Sequence, residues 1–109
     1  MRIAVSVLAI LFGGLHLAAG TYAEFKGKDT AAQNSGGMMA LGGLFAFTSA
    51  CSHLTYHLSW LDALILALAC IFICRAAYAN GKRTGNVHLS HHIVRGVIAA
   101  LLVVCFIIW

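Results

Sequence analysis

Four apolar stretches, residues 3–20, 36–55, 61–77 and 93–109, occupy most of this 109-residue chain and leave too little between them for a water-soluble domain. Hydrophobic residues make up 61% of the chain and charged ones 9%, against roughly 45–50% and 25% in soluble domains. A bilayer core about 30 Å thick is crossed by roughly 20 helical residues, and each stretch approaches that length. Barrel strands alternate apolar and polar residues, whereas the third stretch opens LDALILALACIFIC, almost unbroken in Leu, Ile and Ala. Helices also satisfy their own backbone groups in lipid. The expected fold is therefore all-α, a single domain that is an integral membrane bundle of four transmembrane helices.

Met1-Arg2 followed by an apolar run ending near Ala18-Ala19-Gly20 has the outline of a secretory signal. The run is longer than the usual signal core, and a retained first helix is expected. Lys and Arg set orientation, because short basic loops stay in the cytoplasm. Lys26 and Lys28 follow the first stretch, and Arg75, Lys82, Arg83 and Arg95 flank the connection between the third and fourth, while the other face has only Arg2. Both termini are expected outside and loops 21–35 and 79–90 in the cytoplasm, in a bacterial inner membrane or an organelle membrane. The net charge of +4 then answers anionic headgroups; no basic domain for nucleic acid is present.

Tyr22-Ala23-Glu24-Phe25-Lys26-Gly27-Lys28-Asp29-Thr30 weakly resembles Tyr78-Ala79-Asn80-Gly81-Lys82-Arg83-Thr84. Either the chain is two parallel helical-hairpin repeats, or two aromatic and basic boundary segments converged on similar chemistry. Ser59-Trp60-Leu61-Asp62 fits a capping pattern and places Asp62 in a first turn near the interface, favoured by the helix dipole, rather than as a buried proton carrier. The short connection 56–59 forces the second and third helices side by side. Gly36 and Ala40, and Gly42, Ala46 and Ala50, recur every four residues in the second stretch, a face suited to close helix packing within the bundle or between copies. Gly13, Gly14 and Gly20 give the first helix the same capacity, and the third, rich in Leu and Ile, is expected to face lipid.

Six histidines are the chemical signal. His53 and His57 are four apart at the end of the second stretch, on one helix face. His88, His91 and His92 cluster before and at the start of the fourth, and His16 lies deep enough in the first to approach that group. His53 and His57 fall on the opposite membrane surface. Three chemistries suit such residues: a transition metal, with Glu24 completing the shell; axial ligation of a haem, with His16, His88, His91 and His92 as ligands; and proton transfer or permeation, with His16, His53 and His57 as the polar pathway. Histidine also simply anchors helix ends, and no spacing here matches a paired-cysteine or HExxH metal signature.

Cys70 and Cys74, four apart, and the lone Cys51 and Cys105 read as packing residues. The carboxylates Glu24, Asp29 and Asp62 form no acid/base pair, and no nucleophile or nucleotide loop is visible, so an enzyme is not expected. The polar run Thr48, Ser49, Cys51, Ser52, His53, Thr55, Tyr56 and His57 can line an outward half-channel or bond neighbouring helices. Two roles follow. One is a transport or permeation protein acting as a homo-oligomer; the other is an accessory or structural subunit of a larger membrane complex, holding a haem or transition metal through its histidines.

Overall fold

The computed structural model describes residues 1–85 and 88–109, with the side chain of Ser59 also outside the description. Four helices follow one another, α1 (Arg2–Lys26), α2 (Thr30–Thr55), α3 (Ser59–Thr84) and α4 (Leu89–Ile108), and no strand occurs among the described residues. All four are long and apolar enough to cross a membrane. The chain contains no proline, and each helix runs unbroken.

The helices outrun the apolar stretches. α1 continues through Thr21–Lys26 and α3 through Tyr78–Thr84, so the expected loop 21–35 shrinks to Gly27, Lys28 and Asp29. Most of the expected loop 79–90 is likewise helix, while its positions 86 and 87 lie outside the described residues. Lys, Glu, Tyr and Ala carry little helix penalty in water, so the polar boundary ends the apolar window without ending the helix. The actual stops are local. Asp29 caps α2, its carboxylate accepting from the Ala32 N–H at 2.7 Å. Gly85 ends α3 in the left-handed region, φ 71°, with its N–H turned back on the Gly81 and Lys82 carbonyls, a conformation that costs a residue with a Cβ. At α3 the N-cap is Leu58, and the capping role expected of Ser59 lies outside the described residues.

The helices pack in sequence, α1 on α2, α2 on α3 and α3 on α4, while α1 and α4 touch only briefly. The closest approach is an antiparallel glycine seam between α1 and α2. A Cβ on Gly13 would lie 2.6 Å from the Phe47 nitrogen and 2.8 Å from the Gly43 carbonyl oxygen, and a Cβ on Gly20 would strike the backbones of Ala40 and Gly36. Gly36 and Gly43 meet Gly20 and Gly13 in return, so glycines seven apart on each helix interlock. Gly14 faces open space.

The small-residue face expected on α2 divides in two. Gly36, Ala40 and Ala46 turn to α1, and Gly42 turns to Ala69 and Ile73 of α3, because Gly36 and Gly42 are six residues apart, about 240° around a helix at 3.6 residues per turn. Ala46 and Ala50 are fully buried. The expectation that α3 faces lipid is overturned: the buried share of its span is 44%, against 17% for α4. Ala63, Leu66, Ala69, Ile73 and Ala76 fill the interior, since α3 lies between α2 and α4 and its alanines let both neighbours approach.

Candidate functional site

The largest buried cluster of the bundle lies toward the end holding the chain termini. Val5, Ala9, Ala46, Ala50, Ala63, Leu66, Ala99, Leu102 and Phe106 share one core there. Into that core project His53 from the last turn of α2 and Asp62 from the first turn of α3, 0% and 1% exposed. The α2–α3 turn is so short, Tyr56 to Leu58, that residues equally distant from it stand opposite one another. His57 makes this turn in the left-handed region, φ 58°, a strained position that a non-glycine residue holds only when its surroundings impose it.

His53 Nδ1 stands 3.5 Å from Asp62 Oδ2, an attractive contact but longer than a good hydrogen bond. The imidazole stacks on the Phe106 ring at 4.2 Å between centroids and 14° between planes, and the His57 ring meets it edge-on at 5.5 Å. Ser49 donates its hydroxyl to the Asp62 carbonyl at 2.6 Å, tying α2 to the first turn of α3. Two turns beyond Gly13 in the antiparallel register of α1 and α2, buried Ser6 comes level with Ala50 and Leu54, the turn that carries His53. The Ser6 hydroxyl, both His53 ring nitrogens and Asp62 Oδ2 are buried without a hydrogen-bond partner. Such groups are costly in an apolar interior, and in membrane segments they mark function more often than they merely fill space.

One proton suffices for the pair. Carboxylate with imidazolium and carboxylic acid with neutral imidazole both have zero net charge, and they interconvert by moving that proton between Oδ2 and Nδ1. A second proton leaves one positive charge, and removing the first leaves one negative. Asp62 thus occupies the first turn, where it is expected, but points into the bundle rather than to the interface. His57 belongs to the turn rather than to the helix face expected to carry it with His53, although the two rings remain adjacent.

The polar run of α2 does not form one stripe. Ser49 and His53 face inward, while Thr48, Cys51, Ser52 and Thr55 line a shallow groove with Phe47 and Tyr56 on the outer surface. The hydroxyls of Thr48 and Thr55 already bond carbonyls one turn back on their own helix, Leu44 and Cys51.

Toward the opposite end two recesses open beside α4. His16 and His91 line one cleft between α1 and α4, with Phe12, Ser90, Val94 and Arg95; ten residues separate His16 from the end of α1 at Lys26, about 15 Å of helical rise. The His16 Nδ1 lies 2.7 Å from the Phe12 carbonyl oxygen, which leaves Nε2 for the cleft. His88, His91 and His92 edge a recess with Asn80, Thr84 and Arg95. Glu24, expected to complete a metal shell, lies instead beside Gly37 of α2. Among the described residues no three His, Cys, Asp or Glu side chains gather to hold a metal ion, and all four cysteines are free thiols.

Sequence reasoning missed the His53–Asp62 pairing, and the signal that carries it was present: the two residues are nearly equidistant from a turn too short to separate them. No protein-family model, curated protein or solved structure matches this chain.

Proposed function

We propose that this chain is a small transport or permeation protein, active as a homo-oligomer, in which His53 and Asp62 are the proton-exchanging groups. The observation that carries the reading is the fully buried His53–Asp62 pair, 3.5 Å apart, within helices able to span a membrane. Two ionisable side chains in that setting cost far more than a hydrophobic pair of similar volume. Retaining them for packing alone has no physical advantage, whereas a group that gains and loses a proton needs both. The groove of Thr48, Cys51, Ser52 and Thr55 lies on the outer surface of α2, the face turned away from His53, and offers a polar seat for a second copy. With the basic helix ends in the cytoplasm, the pair lies near the outer surface.

The test is proton flux into vesicles reconstituted with the purified protein, followed by an entrapped pH-sensitive dye while a potassium gradient and valinomycin set the potential. Flux well above that of protein-free vesicles is expected, with His53→Ala and Asp62→Asn lowering it to background. Vesicles as proton-tight as empty ones would end the proposal.

A second reading, an accessory subunit holding a haem, draws on His16 and His91 lining a single cleft. Native mass spectrometry of gently extracted protein separates the two. A bare homo-oligomer supports transport, whereas a haem increment or a larger protein partner supports the subunit.

A further inference from the structure

The chain has three carboxylates, and the fold places each away from Arg95. Asp62 faces His53 at the far end, Asp29 caps α2 and stands 3.6 Å from Arg83, and Glu24 lies against Gly37. Arg95 sits six residues beyond the first residue of α4, about 9 Å along the helix. It is half-buried, and no hydrogen bond or ion pair reaches it among the described residues. A guanidinium stays charged at any physiological pH, and a cation at membrane depth is tolerated when a counter-charge or polar atoms meet it. No acid in the chain supplies that charge.

The surroundings of Arg95 indicate what does. The recess it lines with Asn80, His88, His91 and His92 contains no acidic residue. Asn80 accepts from Arg83 through Oδ1 at 2.8 Å, which leaves its amide N–H groups to donate. Two grooves descend from this recess on either flank of α4. One, between α1 and α4, continues from His91 and Arg95 over Phe12, Val94 and Ile98. The other, between α3 and α4, continues from His92 over Tyr78, Ala79 and Cys74, with Arg75 at its edge. A cationic recess rich in donors, drained by two largely apolar grooves, has the outline of a headgroup with two chains.

We propose that this end of the bundle binds an anionic glycerophospholipid, its phosphate on Arg95 and the neighbouring imidazoles and its acyl chains in the grooves beside α4. Guanidinium and phosphate match in charge and in hydrogen-bond geometry, and basic pockets between transmembrane helices suit such headgroups. A zwitterionic lipid would bring its ammonium among Arg95 and the histidines, where no carboxylate lines the recess to receive it. A soluble anion would leave the apolar grooves empty. The site is independent of the His53–Asp62 pair, which lies at the other end of the helices.

The experiment is native mass spectrometry of the full chain in detergent, titrated with an equimolar mixture of phosphatidylglycerol and phosphatidylcholine, and separately with inorganic phosphate. Wild-type protein is expected to retain phosphatidylglycerol about tenfold over phosphatidylcholine. Arg95→Gln is expected to lose that preference and Arg95→Lys to keep part of it, each with wild-type helix content by circular dichroism. Ile98→Trp, which fills a groove without altering charge, is expected to weaken retention of both lipids. Equal retention of the two lipids, a preference unchanged in Arg95→Gln, or binding of inorganic phosphate as tight as that of the lipid would overturn the assignment.

Discussion

Gly13 and Gly14 are neighbours in sequence, yet replacing each by Ala is expected to move stability in opposite directions. A Cβ on Gly13 would lie 2.6 Å from the Phe47 nitrogen and 2.8 Å from the Gly43 oxygen, where ordinary contact begins at 3.4 Å. The shortfalls are therefore about 0.8 and 0.6 Å, and both atoms are backbone, which no rotamer change relieves. α1 and α2 must separate by that amount, loosening the Gly20–Gly36 contact as well. Overpacking of this kind costs about 1–3 kcal/mol. A Cβ on Gly14 meets nothing within 4 Å. Both substitutions gain the same helix-propensity term, roughly 0.5–1 kcal/mol over glycine, so it cancels in the comparison. Gly13→Ala should thus be less stable than Gly14→Ala by about 1–3 kcal/mol, with Gly14→Ala at or slightly above wild type. The assay is unfolding in mixed micelles with increasing SDS, followed by far-UV circular dichroism. Equal midpoints for the two variants would refute the seam.

Asp29→Ala removes the Ala32 N–H cap and should destabilise by about 1 kcal/mol, whereas Arg83→Ala, which removes an exposed ion pair with Asp29 and an exposed hydrogen bond to Asn80, should change stability by less than about 0.5 kcal/mol; the same SDS titration compares them. Protease-sensitive tags placed at Met1 and at Trp109 should be cut from the same side of sealed vesicles, since an even number of antiparallel spans brings both ends together. Cleavage from opposite faces would contradict both the bundle and the orientation read from Lys26, Lys28, Lys82 and Arg83.

The four spans are legible because apolar composition over a bilayer length has few alternative explanations, and the chain offers no competing soluble pattern. Helix ends are harder to read. Tyr22-Ala23-Glu24-Phe25-Lys26 is polar enough to leave the membrane and helical enough to continue, and hydropathy registers only the first property. The environment of α3 is hidden from the sequence for a related reason: its leucines and isoleucines satisfy lipid and protein interiors equally, and the discriminating residues are Ala63, Ala69 and Ala76, whose small size matters only once neighbouring helices are known. Counting along α2 singles out His53 but pairs it with His57. Its closest ionisable neighbour, Asp62, comes from across the turn, where helical periodicity is silent.

The turns between the first three helices also limit how the protein can be cut or extended. Gly27, Lys28 and Asp29 are all that separates α1 from α2, and Tyr56, His57 and Leu58 all that separates α2 from α3. Proteolysis and tolerated insertions concentrate in exposed, loosely held segments, and here the cap at Asp29 and the left-handed backbone at His57 leave little slack. A protease acting at either connection must first unwind a helix end, and a fused domain inserted there would pry apart the hairpin that it interrupts. Neither of these two turns is thus a site at which a reporter can be inserted without disturbing the helices it joins.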